Sequence, residues 1–181
     1  MAPTTEGGVI KKLTLSLVLT LAGLSVLGDS AAADPGTSYA FRLKGPNVAV
    51  ATVFDEHHQP GDTIRVTGSG TFDTTSGVVT GGGSFTHFNA DGTVHMRGSW
   101  EATGLVSFTS FGGPKTSQQG GVLPLTTMHF DQDGQPCMCG DEGDMPMTLT
   151  SVVNAPAGTV GGVITGPFGQ SVSGVVAFGQ A

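Results

Sequence analysis

The sequence predicts an all-β protein that forms a single small antiparallel β-barrel of about eight strands, with a β-sandwich as the alternative. The first observation is composition: 30 glycines, one tryptophan and many threonines and valines favour strands, and runs of helix-forming residues are rare. The second is the alternation of apolar and polar residues in stretches such as "DTIRVTGSGTF", which is the period of a half-buried strand. The third is a turn signal about every 8 to 14 residues.

These signals predict nine consecutive strands, with turns at "KGPN", "HHQPGD", "TTSG", "NADG", "GGPK", "DQDG", "NAPAG" and "TGPFG". The expected strands are 38–45, 47–54, 62–72, 77–89, 93–111, 120–130, 144–154, 158–165 and 171–178. The strand at 93–111 is expected to break at Gly98 or Gly104. So many antiparallel strands must close into a barrel or split into two sheets to remove their edges. Glycines inside the strands favour the barrel, because its sharply coiled strands need such corners.

The first 33 residues have the layout of a secretory signal peptide. Two lysines precede an apolar run from Leu13 to Leu27, and the small residues "AAA" precede Asp34. A transmembrane anchor is the alternative, but it would need about 20 apolar residues and no cleavage signal. We therefore expect a cleaved signal peptide over 1–33, a single β-barrel domain over 34–181, and export to the extracellular space or the periplasm.

Charge limits the partners of the exported domain. Cleavage would leave 148 residues that keep five of the seven basic and twelve of the fourteen acidic side chains, so the net charge stays at −7. A domain of this length can bury a proper core. The acidic field argues against nucleic acid and membrane surfaces as partners. Self-association through sheet edges or barrel faces stays open.

Two segments share the pattern His-Phe-Asx-x-Asp-Gly-x-x-x-Met: "THFNADGTVHM" at 86–96 and "MHFDQDGQPCM" at 128–138. Asp-Gly between two strand-like stretches is typical of a hairpin turn. The alternative is a calcium loop, which would use closely spaced carboxylates such as Asp131 and Asp133. Neither copy has the downstream glutamate at the spacing of an EF-hand.

The only two cysteines, Cys137 and Cys139, lie in the acidic stretch "HFDQDGQPCMCGDEGD". In an oxidising compartment they predict a disulfide with each other, closing a short, strained ring. An intermolecular bridge and a metal site are the alternatives, since thioether, thiolate and imidazole ligands together select copper(I). The soft ligands are Met128, His129, Cys137, Met138, Cys139, Met145 and Met147. The sequence implies no other cofactor. The expectation is therefore no cofactor, with copper or calcium as the alternatives.

Four of the histidines fall into two groups along the sequence. His87 and His95 flank the "NADG" turn and are expected to face each other across one hairpin, where neighbours lie about 5 Å apart. With Arg97 and Glu101 on the same segment, they are the candidate acid-base or metal residues. The stretch "DEHHQPGD" at 55–62 is expected to be an exposed polar turn, although a turn does not exclude a metal site. The sequence has no Gly-x-Ser-x-Gly, His-Glu-x-x-His or P-loop motif.

Large side chains on the strand faces could line a cavity that admits a small apolar molecule. The candidate ligand-binding residues are Phe72, Phe85, His87, Trp100, Val106 and Phe108. An inward His87 beside Arg97 or Glu101 would then orient the ligand or move a proton. The alternative is that the rings only fill the core, as aromatic side chains usually do.

The strands "IRVTGSGTF", "GGGSFTHF" and "GSWEATG" support a comparison with known proteins. They resemble a group of small secreted bacterial and fungal proteins with Val-Thr-Gly-Ser-Gly-x-Phe, Gly-Gly-Gly-x-Phe-x-His and Gly-x-Trp-x-Ala strands. That resemblance implies one exported domain and supplies no mechanism. The fold also resembles, more loosely, the allene oxide cyclase and dirigent β-barrels, which bind apolar molecules and steer their cyclisation or coupling. Fold alone does not imply function.

We therefore expect a secreted barrel that binds a small hydrophobic molecule in or at the mouth of the barrel. One alternative is an enzyme of the cyclase or isomerase type that uses His87. The other is a structural or interaction module whose Cys-x-Cys loop binds a metal or carries a disulfide.

Overall fold

The structure, a computed structural model, describes residues 38–55, 58–113, 118–137, 144–166 and 168–181. These ranges fall within one compact unit of the chain and consist of strands, turns and loops, with no helix among them. Accordingly, the described ranges include no helix of the length and apolarity needed to cross a membrane. The signal peptide expected over 1–33 lies outside the described residues.

Nine strands occur in the described ranges. They are β1 (Ser38–Val50), β2 (Thr63–Asp73), β3 (Val79–Phe88), β4 (Val94–Leu105), β5 (Thr109–Gly112), β6 (Gly120–Asp131), β7 (Met145–Ser151), β8 (Gly162–Thr165) and β9 (Gln170–Gln180). Most lie close to their predicted positions. The differences concern β1 and the boundary between β4 and β5.

Hydrogen bonds join the strands into one antiparallel sheet in the order β8-β7-β6-β4-β3-β2-β1-β9, with β5 beside β6. The end strands β8 and β9 contact each other, so the sheet forms one nearly closed antiparallel barrel of eight strands. The predicted fold class is confirmed, and the barrel is favoured over the sandwich. Since most neighbours in the sheet are neighbours in the chain, strands start and end alternately at the two mouths of the barrel.

The "KGPN" turn predicted to divide β1 is wrong, because the segment lies inside one continuous strand. The register against β2 shifts between Arg42 and Asn47, and Gly45 has a φ of 70°. Glycine adopts this left-handed conformation without steric cost. An irregularity of this kind bends a strand without ending it.

The strand expected over 93–111 is broken, as predicted, but after Leu105 and not at Gly98 or Gly104. The register against β6 shifts between Ala102 and Gly104 without ending the strand. The chain leaves the strand at residues 106–108, and the ring of Phe108 packs against the core. β5 then pairs with β6 again, so β4 and β5 follow the same side of β6 one after the other.

The inner faces of the strands supply one apolar core. Its largest fully buried side chains include Trp100, Phe41, Phe72, Phe178, Leu123, Leu125, Met147 and Leu149. Two glycines on β2 make room for the rings: a Cβ on Gly68 would lie 2.5 Å from Trp100 Cζ2, and one on Gly70 would lie 2.6 Å from Phe41 Cζ. The indole N–H of Trp100 donates to the carbonyl oxygen of Thr67 at 2.9 Å, so the buried ring has no unpaired donor.

Candidate functional site

A cavity of about 360 Å³ opens at one end of the barrel. It lies near the start of β2, where Ile64 lines it, near the end of β3, where Phe85 and His87 line it, and near the start of β4, where Met96 lines it. In an antiparallel barrel these starts and ends meet at the same mouth. The topology therefore collects side chains that are far apart in the sequence.

The wall of the cavity combines apolar side chains with imidazoles. The apolar members are Ile64, Phe85, Met96, Pro136, Met145 and Phe168. The imidazoles are His58, His87, His95 and His129. Asp131, Cys137 and Thr165 complete the wall. Four of the five histidines of the chain thus surround one cavity.

His87 is held by a buried carboxylate, Asp62. Its Nε2 lies 3.1 Å from Asp62 Oδ2, and both side chains are buried. Asp62 Oδ2 also accepts the backbone N–H of Gln59 at 2.9 Å. The prediction that Arg97 or Glu101 lies beside His87 is wrong, because both point to the exposed outer face of β4. The charged partner instead comes from the loop before β2.

The pKa values fix the charge of this pair near neutral pH. Burial raises the pKa of the Asp62 carboxyl, but hydrogen bonds from Gln59 and His87 outweigh it and leave the pKa below its usual 3.8. Burial lowers the pKa of His87 below its usual 6.5, although the hydrogen bond to Asp62 opposes this. At pH 7 Asp62 is therefore ionised and His87 neutral, with the ring proton on Nε2 facing the carboxylate.

His58 is buried with only 4% of its surface exposed, so the expectation of an exposed polar turn at 55–62 is wrong at this residue. Its Nδ1 lies 2.9 Å from Asp55 Oδ1, and its ring stacks on that of His87 with centroids 5.6 Å apart. Phe168 packs edge-on against both imidazoles. Residues 56–57, which complete the predicted group, lie outside the described residues.

His95 faces His87 across the β3–β4 hairpin, as predicted, with ring centroids 4.7 Å apart. The register explains how an outward position on β4 reaches the cavity. Phe88 pairs with Val94 and His87 with Met96, so His95 is the extra residue of a bulge. Bulges redirect a side chain in this way and are frequent beside functional sites.

His129 closes the wall from β6. Its Nδ1 lies 3.0 Å from Met145 Sδ, and its ring meets Phe85 edge-on at 5.4 Å. Burial lowers the pKa of His129 to about 4. The imidazole is therefore neutral over the whole physiological range.

Thr165, at the end of β8, lines the cavity and has a hydroxyl without a partner in the described ranges. Its side chain is 2% exposed, and Oγ1 has no hydrogen-bond partner in the described part of the chain. Buried hydroxyls are hydrogen-bonded in most proteins, because an unpaired one loses its hydration without compensation. This atom therefore marks a polar position in a mainly apolar wall.

Of the six candidate ligand-binding residues, Phe85 and His87 line the cavity. Trp100 is buried in the core above Gly68. Phe72 and Phe108 pack on each other at 4.9 Å in the core, where they follow the alternative that aromatic rings fill it. The interior position predicted for Val106 is wrong, because 62% of this side chain is exposed.

The two Asp-Gly segments are hairpin turns in the structure. In the second, Asp131 Oδ1 accepts the backbone N–H groups of Asp133 and Gln135, each at 2.9 Å. In the first, Asp91 Oδ1 accepts the N–H of Thr93 at 2.9 Å. Carboxylates that stabilise their own turn support the hairpin interpretation over a calcium loop.

The cysteine loop is described only as far as Cys137, whose Sγ lies 3.8 Å from Met96 Sδ at the cavity wall. Met138 and Cys139 lie outside the described residues, so the disulfide between Cys137 and Cys139 stays a prediction. Where the chain is described, no group of three or more His, Cys, Asp or Glu side chains is arranged to hold a metal ion. The copper alternative, which combined His129 and Cys137 with Met138 and Cys139, stays a prediction as well.

Sequence reasoning did not single out Asp62, Thr165, Phe168 or Ile64. Asp62 is part of the "DEHHQPGD" stretch, but nothing in that stretch indicates that it folds back onto β3. Thr165 and Phe168 belong to the "TGPFG" turn, where glycine and proline obscure the strand alternation. Only the closure of the barrel brings these segments to one mouth.

No protein-family model, curated protein or solved structure matches this chain. The resemblance to small secreted proteins and to cyclase and dirigent barrels therefore stays a prediction. The cavity is therefore the feature from which a function can be proposed.

Proposed function

We propose that this protein is a secreted β-barrel that binds a small, mainly apolar molecule at the mouth formed by β2, β3 and β4. The cavity carries the proposal. Its volume of about 360 Å³ falls within the roughly 300–1,000 Å³ of small-molecule sites. Its wall of apolar side chains with a few placed polar groups is the usual composition of such sites.

The charges around the cavity favour an uncharged ligand. His87 and His129 are neutral at pH 7 because burial lowers the pKa of each. The carboxylates of Asp62 and Asp131 already accept N–H groups of the protein. An anionic ligand would lose its hydration and find no lysine or arginine in the described part of the wall. A cationic ligand would have to compete with the N–H groups of the protein for the carboxylates.

Filling the cavity tests this proposal. We expect Met96→Trp to occupy the space and weaken p-xylene binding by at least about tenfold, since the added ring and the ligand cannot share the volume. Val106→Trp, at an exposed position, is the matched control and should bind as the wild type does. Isothermal titration calorimetry measures both, with circular dichroism to verify folding. Equal binding by all three proteins would place the ligand elsewhere.

A second candidate function is an enzyme of the cyclase or isomerase type with His87 as general base. The buried pair of Asp62 and His87 favours it, because a carboxylate that holds one imidazole nitrogen leaves the other to accept a proton. Native mass spectrometry of protein taken from its own secreted fraction distinguishes the two functions. A binding protein releases the captured molecule unchanged, whereas an enzyme releases it together with its isomer.

A further inference from the structure

We infer that the ligand is an alcohol or phenol with a small apolar body, whose single hydroxyl lies between Thr165 and His87. This inference rests on the proposed function and adds the chemical class of the ligand. It follows from the hydrogen-bonding capacity that the cavity wall leaves unused.

Thr165 supplies the hydrogen-bond donor for the ligand. Its side chain lines the cavity, and its Oγ1 has almost no accessible surface and no hydrogen-bond partner among the described residues. Its backbone N–H donates to the carbonyl oxygen of Phe168 at 3.1 Å, which holds the residue in place. A rotation about χ1 exchanges Oγ1 with Cγ2 and would turn the hydroxyl toward the cavity, where a ligand oxygen that accepts from it would remove the cost of its burial.

His87 supplies the hydrogen-bond acceptor for the ligand. Asp62, which is ionised, can only accept a hydrogen bond, so the ring proton of neutral His87 stays on Nε2. Nδ1 is then a lone-pair acceptor on a ring that lines the cavity. A ligand must donate a proton to use it. The carboxylate thereby determines what the imidazole can recognise, as second partners of histidine commonly do.

Phe168 brings the two groups into one neighbourhood. Its ring lies edge-on to the ring of His87, with centroids 5.4 Å apart. An isolated antiparallel bridge pairs Phe168 with Thr165. Thr165 and His87 therefore border the same part of the cavity, with a phenyl ring beside both.

A hydroxyl matches this pair of groups, whereas a function that only accepts a hydrogen bond, or neither accepts nor donates one, does not. The hydroxyl accepts from Thr165 with its oxygen and donates to His87 with its proton. A ketone or an ether can accept but cannot donate, so it leaves Nδ1 of His87 unpaired. A hydrocarbon leaves both groups unpaired, and sites built for a hydroxyl reject analogues that lack it.

The test compares p-cresol with p-xylene, which differ only by a hydroxyl in place of a methyl group. We expect the wild type to bind p-cresol at least about tenfold more tightly, the effect of satisfying a buried polar group. Thr165→Val keeps the shape of the side chain and should remove most of this preference. Thr71→Val, an exposed threonine paired with Thr80 on the outer face, is the matched control and should keep it. Calorimetry gives the ratio of the p-xylene and p-cresol dissociation constants for each of the three proteins.

Nitrogen-15 NMR of the imidazoles tests the role of His87 without a substitution that would leave Asp62 unpaired. We expect the free protein to show His87 with its proton on Nε2, and the Nδ1 resonance to shift on addition of p-cresol but not of p-xylene. Equal affinity for the two probes, an unchanged preference in Thr165→Val, or an unmoved Nδ1 resonance would each overturn the inference. If neither probe binds, the proposed function itself is overturned.

Discussion

At the scale of single residues, His129 makes stability depend on pH. Its pKa is about 4 in the folded chain, against 6.5 for an unperturbed histidine, so between these pH values the unfolded chain binds more protons. Stability present above about pH 6.5 is therefore lost as the pH falls toward 4, by roughly 3 kcal/mol in all. We expect His129→Leu to flatten this part of the stability curve. Urea unfolding followed by circular dichroism between pH 7 and pH 4 measures it.

Thr71→Val is the control for that experiment, because Thr71 is exposed and does not titrate, so its replacement should leave the slope in place. Part of the slope belongs to His87, whose pKa is lowered as well. If His129→Leu and the wild type lose stability in parallel, His129 is not the buried neutral group that the structure shows.

The sequence predicted that His87 faces His95, because both flank one turn. It could not predict Asp62, which is 25 residues before His87.

At the scale of elements, the Trp100 ring of β4 packs closely on β2 because glycine stands at residue 68. Its Cβ would lie 2.5 Å from Trp100 Cζ2 and 2.6 Å from the carbonyl oxygen of Gly82. We expect Gly68→Ala to lower the free energy of unfolding by about 1–3 kcal/mol, the usual cost of overpacking a core. Ser69→Ala, exposed on the same strand, should change it by less than about 0.5 kcal/mol. Chemical denaturation of the wild type and the two variants measures these changes in the free energy of unfolding. Equal stabilities would contradict the close contact.

Strand positions were predictable because alternation and turn residues are local signals. Glycines inside the strands were predicted to serve sharp coiling, and Gly68 and Gly70 show a second use, since they make room for aromatic rings. The turn predicted at "KGPN" failed because the same residue types also form an irregularity within a strand. Local sequence does not distinguish the two, since the difference lies in the neighbouring strands that continue the pairing.

At the scale of the whole molecule, barrel closure was predictable from the number of strands, whereas the cavity was not. The number of strands requires that edges be removed, but the content of each mouth depends on register. Register placed Phe85 and His87 at the cavity and Phe72 and Phe108 in the core. Residues outside the strands also contribute to the wall, namely His58, Pro136, Cys137 and Phe168.

The whole chain also carries the prediction of export, which joins the N-terminal segment to the cysteine loop. If 1–33 is a signal peptide, the secreted protein begins near Asp34 and matures where disulfides form. We expect its mass to be that of residues 34–181 less two hydrogens, and a reductant to restore both, because Cys137 and Cys139 have only each other as partners within the chain. Intact mass spectrometry, with and without the reductant, measures this. A chain that retains its first 33 residues would contradict the export, and a reducible dimer would instead show that the cysteines join two molecules.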